Sequence, residues 1–431
     1  MSYEILIGDC IETMKEIESE SIHSIVTSPP YWGLRDYGTA DWEGGDEDCD
    51  HKIPSGEIDP KRSGGDAGSS HAIRFNRDSC HKCGAIRVDS QLGLEATPDE
   101  YVEKMVAVFR EAKRILRPDG TLWLNLGDSY NGSGGAGGDY NKGGLKEGQP
   151  KYKGRNAQTL KPKDLCGIPW RVALALQADG WYLRQDIIWH KPNPMPESVR
   201  DRCTKTHEYL FLLTKSPKYY YDNEAIKEDG VIAAGTKAAK GSAERASIKG
   251  VNARPPEYKT YTGKRNKRSV WTVNTRPYAG AHFAVFPPEL IEPCILAGTS
   301  AKGCCSKCGK SWQRVISKPI LPKIDDSEVD RYGTGEAGVH RKVGQQYQNW
   351  RANNPDVTTG WEATCECNAD IIPCTVLDPF GGSGTTAGVA IKHGRNAILC
   401  ELNPDFVELV KGRVDSIVGY ESEKVEQVEW L

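Results

Sequence analysis

Apolar residues recur along this chain in two rhythms. Short runs rich in Val, Ile, Leu and aromatics have the length of strands: YEILIG (3–8), HSIVTS (23–28), TLWLNLGD (121–128) and YLRQDIIWHK (182–191). EYLFLLTKS (208–216), CTVLDPF (374–380) and NAILCEL (396–402) read the same way. Over 98–116 the apolar positions Val102, Met105, Val106, Phe109, Ala112 and Leu116 fall at helical spacing, and RPDG (117–120) is expected to close that helix with a turn. Further helices are expected over 11–17, 169–178, 385–393 and 404–418. Strands alternating with helices predict an α/β fold: a mostly parallel sheet with helices on both faces.

Three stretches break the rhythm. Residues 38–90 are polar and Gly-rich with scattered Cys and His, 131–144 is a flexible loop by composition, and 222–275 is polar and basic. The expected organisation is a core split into two halves, 1–37 with 91–221 and 276–303 with 368–431. Into it are inserted 38–90, 222–275 and 304–367. At 431 residues, 27% charged and 38% hydrophobic, the chain is ordinary globular material. It has no apolar run of about 18 residues, and MSYEILIGDC lacks a signal pattern, so a soluble intracellular protein with no membrane partner is expected. The net charge of −3 gives no global pull toward nucleic acid, so any such binding needs a local patch.

Two stretches carry chemistry. In SIVTSPPYWG (24–33) two prolines end a strand at Ser28 and present Tyr31 and Trp32. In DPFGGSGTT (378–386) a glycine turn lies between a strand and a helix, where backbone N–H groups approach a ligand closely. No Gly-Lys-Ser/Thr follows, so it is not a phosphate-binding P-loop. About twenty residues on, Glu401 ends the next strand, where an acid can accept hydrogen bonds from ribose hydroxyls. The plain alternatives are a loop stop and a tight strand-to-helix turn.

Taken together, these stretches resemble the S-adenosylmethionine-dependent DNA amino-methyltransferases. Ser28-Pro29-Pro30-Tyr31 matches their catalytic (Asp/Asn/Ser)-Pro-Pro-(Tyr/Phe/Trp) motif, and Phe380-Gly381-Gly382-Ser383-Gly384 their Phe-x-Gly-x-Gly cofactor loop. The catalytic motif comes first, the order of the circularly permuted beta class. GDC (8–10), RPDGTLWLNLGD (117–128), HKPNPMPES (190–198) and HFAVFPPELIEPCILAGTS (282–300) match further, the last resembling the segment over the cofactor's methionine end. The resemblance implies a Rossmann-like fold. It implies a cofactor site at Asp9, Cys10, Phe283, Asp378, Phe380, Gly382, Ser383, Gly384, Thr385, Thr386 and Glu401. It also implies double-stranded DNA as substrate and a cytoplasmic, bacterial or phage-encoded protein; it is compatible with a homodimer and with a separate cognate restriction endonuclease.

The chemistry explains the prolines. A base amino group has its lone pair delocalised into the ring, so direct methylation needs acceptors that hold both amino hydrogens and aim the nitrogen at the methyl. The Ser28 hydroxyl and the Pro29 carbonyl are assigned as those acceptors, and Tyr31 is expected to stack on a base flipped out of the duplex. Cys10 is read as nearly inert, with no covalent intermediate. Ser at position 28 is commoner in this family among enzymes acting on N4 of cytosine, with N6 of adenine as the alternative.

Fourteen cysteines, several in close pairs, suggest metal rather than disulfides in a reducing cell. Cys80-His81-Lys82-Cys83 with Cys49 and His51 gives a Cys₃His set, and Cys305, Cys308, Cys365 and Cys367 a Cys₄ set, so about two structural zinc ions are expected. His71 could replace His51, and Cys304 could replace Cys305. Cys166, Cys203, Cys294, Cys374 and Cys400 are expected in the core. Between 237 and 268 ten cations (Lys237, Lys240, Arg245, Lys249, Arg254, Lys259, Lys264, Arg265, Lys267, Arg268) face only Glu244 and Glu257. Tyr258 and Tyr261 interleave, and the stretch falls where the family places target recognition. It is read as a DNA footprint, with Lys264, Arg265, Lys267 and Arg268 as contacts. Two other readings compete: a catalytically silent zinc-bearing DNA-binding protein, and an RNA methyltransferase.

Overall fold

The computed structural model describes residues 1–33, 41–46, 48–49, 79–80, 82–88, 91–132, 157, 159–233, 258–276, 285–317, 319, 354 and 356–428. The chain divides into two compact units: Met1–Tyr220, Ser269–Gly298 and Pro373–Leu431 in the first, Tyr221–Arg268 and Thr299–Ile372 in the second. The strands begin with β1 (Tyr3–Ile7), β2 (Ile22–Thr27), β3 (Asp41–Glu43), β4 (Ile86–Val88), β5 (Leu116–Leu126), β6 (Tyr182–His190), β7 (His207–Thr214) and β8 (Glu228–Ala233). They continue with β9 (Tyr258–Arg265), β10 (Val270–Thr272), β11 (Cys304–Cys305), β12 (Gln313–Ser317), β13 (Val357–Glu362), β14 (Ile371–Ile372), β15 (Thr375–Asp378) and β16 (Asn396–Glu401). The helices are α1 (Cys10–Lys15), α2 (Pro98–Ile115), α3 (Ile168–Ala178), α4 (Pro288–Gly298), α5 (Thr385–Lys392) and α6 (Val407–Val428).

The first unit is built on an eight-stranded sheet in the order β1-β16-β15-β2-β5-β7-β6-β10. From β1 to β5 all neighbours are parallel; β7 runs antiparallel between β5 and β6, and β10 joins β6 in parallel. Helices α1, α2 and α3 pack in series against one part of the sheet, and α4, α5 and α6 form a second set on β2, β15 and β16. This is the expected Rossmann-like arrangement. Every residue of β2 is buried, as a central parallel strand requires. The core gathers Ile22, Ile25, Leu122, Leu124 and Phe211 with the inner face of α2 (Tyr101, Met105, Phe109, Ala112, Ile115). Thr97 caps α2 by accepting the Glu100 N–H at 3.2 Å, Pro98 opens it, and acids begin and bases end it.

The topology fixes where chemistry can occur. From β15 the chain crosses through α5 to β16 on one side, while β2 leads through α2 to β5 on the other. β15 and β2 are hydrogen-bonded neighbours, so a crevice opens beyond their carboxyl ends. Ser28, Asp378, Glu401, Gly8 and Gly127 all follow or end parallel strands, and so share that edge.

The structure corrects the sequence reading in places. RPDG does not separate α2 from the next strand: β5 starts at Leu116. It pairs Leu116 with Ile22 and then Thr121 with Ser24, so residues 117–120 bulge out of a continuous strand. Residues 288–298, to which the sequence reading assigned no element, form α4 with Pro293 inside it. Cys203 is exposed rather than in the core, whereas Cys166, Cys294, Cys374 and Cys400 are buried. The final helix begins at Val407, after a single 3₁₀ turn at Pro404–Phe406.

Candidate active site

A cavity of about 810 Å³ opens at the carboxyl edge of the first unit's sheet, lined by both motif stretches. That volume lies within the range of small-molecule and cofactor sites. Ser28, Pro29, Pro30 and Tyr31 border it, as do Asp9, Cys10, Asp378, Phe380, Gly382, Ser383, Thr385 and Glu401. Gly384 and Thr386, also expected at the cofactor, do not line it. Phe283 is outside the described residues.

On the side of the glycine loop the backbone is closely held. Gly384 has φ +80° as the N-cap of α5, and a Cβ there would meet Val410 Cγ1 at 2.7 Å. Glu401 Oε2 accepts the Gly382 N–H at 2.6 Å and Oε1 the Asn403 N–H at 2.8 Å, and burial raises its pKa. Asp378 is fully enclosed. It accepts the Thr27 hydroxyl (2.6 Å), the Thr386 hydroxyl (2.7 Å) and the Phe380 N–H (3.0 Å), and burial raises it to about 7. The Thr27 bond ties β2 to β15 across the crevice. Asp9 caps α1, accepting the Ile11 and Glu12 N–H groups at 2.9 and 3.2 Å. Burial, with the Asp9 charge, pushes the Cys10 thiol far up, which disfavours the nucleophilic thiolate.

On the side of the Ser-Pro-Pro-Tyr loop, Tyr31 is the hub. The Ser28 hydroxyl donates to Tyr31 Oη at 3.3 Å, and Tyr31 Oη lies 2.9 Å from Glu208 Oε2 and 3.1 Å from Asn125 Oδ1. The Lys191 ammonium pairs with Glu208 Oε1 and sits 4.2 Å from the centre of the Trp189 ring. Gly127 packs on the Tyr31 ring so closely that a Cβ would come within 2.5 Å of Cε2. The Tyr101 hydroxyl donates to the Pro30 carbonyl at 2.9 Å, fixing the backbone of the loop. Trp32 is buried and donates to the Glu95 carbonyl at 3.1 Å, so it packs the core rather than lining the cavity.

A glycine loop and a Ser-Pro-Pro-Tyr loop thus face one cavity. A family model described as DNA methylase, of the N6/N4 type, matches residues 22–305 and 374–412. The chain belongs to this family of S-adenosylmethionine-dependent DNA amino-methyltransferases. The methylase is 42% identical over 409 residues to the type II methyltransferase M.Cfr9I of Citrobacter freundii, covering 94% of this chain and 86% of that one. It is 40% identical over 416 residues to M.SmaI of Serratia marcescens, covering 96% and 91%. M.XycI of Xanthomonas campestris pv. cyanopsidis is 41% identical over 414 residues, covering 94% and 86%.

The cavity is also lined by residues that the sequence reading did not single out: Asn125, Asp128, Lys191, Lys205, His207 and Glu208. Asp128 caps α3 through the Gly167 and Ile168 N–H groups and lies 3.9 Å from Lys205. Burial raises Asp128 and lowers Lys205, each toward its neutral form.

Away from the cavity the methylase gathers its cysteines. Cys305, Cys308, Cys365 and Cys367 lie in the second unit with their sulfurs within 4.8 Å of one another. Backbone N–H groups of Cys308 and Lys307 bring the Cys305 thiol down to about 7. In the first unit Cys49, Cys80 and Cys83 converge in the same way. The fourth expected ligand, His51, and its alternative His71 lie outside the described residues. Cys304 turns its sulfur to the Ile372 carbonyl instead. In the basic stretch, Lys264 pairs with Asp229 at 2.7 Å, while Arg265 (2.9 Å) and Arg268 (2.6 Å) share Glu228. The cations from 237 to 254 lie outside the described residues.

Proposed function

We propose that this methylase transfers a methyl group to N4 of cytosine in a target base extruded from duplex DNA. The observation that carries the reading is the Ser28-Pro29-Pro30-Tyr31 loop, which faces the same cavity as the glycine loop and Glu401. S-Adenosylmethionine supplies the methyl group. The residues present suit it: glycines leave room for close backbone approach, and Glu401 offers carboxylate oxygens at the strand end where ribose hydroxyls are held. The Ser28 hydroxyl and the Pro29 carbonyl accept the two amino hydrogens, and the Tyr31 ring stacks on the base. Serine at position 28 favours cytosine over N6 of adenine.

Duplex DNA approaches through phosphate contacts that include Lys264, Arg265, Lys267 and Arg268. The two cysteine sets hold structural zinc. As a relative of type II methyltransferases, the protein would protect its site from a cognate endonuclease carried on a separate chain.

Incubation with labelled cofactor and mixed-sequence DNA, followed by nucleoside mass spectrometry, tests the reaction. 4-Methylcytosine is the expected product; 6-methyladenine would keep the reaction class and overturn the reading of Ser28. Ser28→Ala should slow transfer by about a hundred- to a thousandfold, the usual loss for one oriented hydrogen bond in such a site. A Ser28→Ala enzyme at the wild-type rate would remove the catalytic assignment.

A further inference from the structure

We propose that Glu208, held by Lys191, is a positioning residue that fixes the direction of the Ser28 hydroxyl through Tyr31. The inference rests on Ser28 being an acceptor for the base amino group. A serine hydroxyl carries one proton and two lone pairs, so it can meet an amino group in the wrong sense. If its proton points at the substrate nitrogen, it competes for the lone pair that must attack the methyl. Something has to turn that proton away.

The hydrogen bonds at Tyr31 do so by polarity. The Glu208 carboxylate only accepts, and its other oxygen is engaged by the Lys191 ammonium, which only donates. Tyr31 Oη is 2.9 Å from Glu208 Oε2, so the phenol proton goes to the carboxylate. The Asn125 amide nitrogen donates to the Tyr209 carbonyl at 3.0 Å, which turns its oxygen, a second acceptor, toward the same phenol. With its proton spent, the phenol oxygen is left as an acceptor, and the Ser28 hydroxyl donates to it across 3.3 Å. The Ser28 lone pairs then face the substrate. Burial and the Glu208 charge push the Tyr31 phenol well above its usual range, so it stays a donor across the working pH. Each bond in the chain Lys191, Glu208, Tyr31, Ser28 polarises the next in the same direction.

Glu208 and Lys191 thus act on the reaction without touching the base, and Tyr31 has two separable tasks: its ring stacks, and its hydroxyl orients Ser28. Tyr31→Phe keeps the ring against Gly127 and removes only the second task. The test is a set of single-turnover rates on wild type, Ser28→Ala, Tyr31→Phe, Glu208→Gln and the two doubles with Ser28→Ala. Tyr31→Phe and Glu208→Gln should each lower the transfer rate, by no more than the hundred- to thousandfold or so of Ser28→Ala, with the KM for DNA changed less than about threefold. In the Ser28→Ala background each should have almost no further effect, because the group they orient is gone. A merely structural role would multiply with Ser28→Ala rather than vanish into it. Multiplicative doubles, or a wild-type rate in Tyr31→Phe, would overturn the proposal. If Glu208→Gln fails to fold, Tyr31→Phe and its double decide alone. Ser28→Ala at the wild-type rate is a different failure, since it removes the acceptor role of Ser28 itself.

Discussion

Asp378 lies buried where β15 meets β2 and accepts hydrogen bonds from Thr27, Thr386 and Phe380, yet burial raises it to about 7. In the unfolded chain an aspartate titrates near 3.9. Between those values the folded protein holds a proton that the unfolded chain has lost, so stability falls as pH rises through this window and levels off above about 7. The slope from this one group reaches about 1.4 kcal/mol per pH unit at most. Asp378→Asn keeps the shape and cannot titrate. Its thermal midpoint should therefore decline less than that of the wild type from pH 5 to pH 7, and parallel curves would count against the assignment. At this scale the sequence was legible wherever the signal is local. Two prolines after a strand and a glycine turn before a helix announce themselves within ten residues. Glu208 announces nothing, being a single acid at the start of an apolar strand, while Lys191 and Asn125 lie inside matched stretches whose spacing says nothing of what either side chain touches. Glu208 reaches Tyr31, and Lys191 reaches Glu208, because β7 folds back antiparallel between β5 and β6, which no spacing along the chain reveals.

Elements set what these residues can do. Gly384 starts α5 in the left-handed region, where an alanine costs about 1–2 kcal/mol before any contact is counted, and its Cβ would press on Val410. Gly384→Ala should lower thermal stability and weaken S-adenosylmethionine binding together. Glu401→Ala removes the acceptor of two backbone N–H groups, and a hydrogen bond to a charged group is worth roughly 1.5–3 kcal/mol, or about ten- to a hundredfold in cofactor affinity. Calorimetry on both variants checks this, and unchanged affinity in each would remove the cofactor loop. The β8–β9 ladder shows what composition conceals. The run read as a bare cationic footprint faces Asp229 and Glu228 across the strand pair. Lys264 and Asp229 are both more than half exposed, and such surface pairs are worth little, so a DNA phosphate can take the acid's place. Neutralising Lys264, Arg265, Lys267 and Arg268 should flatten the plot of log affinity against log salt by about one unit per lost phosphate contact. A slope that does not change would make the run a solvated ladder. Element boundaries were least legible where two signals conflict: a helix-ending Pro-Asp-Gly proved to be a bulge inside β5.

At the scale of the whole molecule the two units differ in what holds them together. The first has an eight-stranded sheet and a continuous apolar core. The second is described as two-stranded pieces, β8–β9, β11–β14 and β12–β13, and an isolated two-stranded ribbon is marginal in water. Some stability comes from Arg314, which forks onto the buried Asp222 at 2.8–3.1 Å and lies 4.5 Å from the Trp361 ring centre. A further cross-link is available where Cys305 and Cys308, on one side of the segment 318–356, meet Cys365 and Cys367 on the other. A bound zinc there would tie β11 to the chain following β13, so that binding energy becomes folding energy. The sequence showed these pairs by their spacing; that they converge required the fold. Elemental analysis should give about two zinc ions per chain, one for each cysteine set. Scanning calorimetry of the intact protein should show a transition that a strong chelator, which strips both cysteine sets, moves to lower temperature. Cys308→Ser, which spares the other set, should lower the same transition and reduce the metal content by about one ion. A fully folded, metal-free protein with an unaltered melting profile would mean that the cysteines are free thiols and that the second unit rests on its ion pairs and small apolar contacts alone.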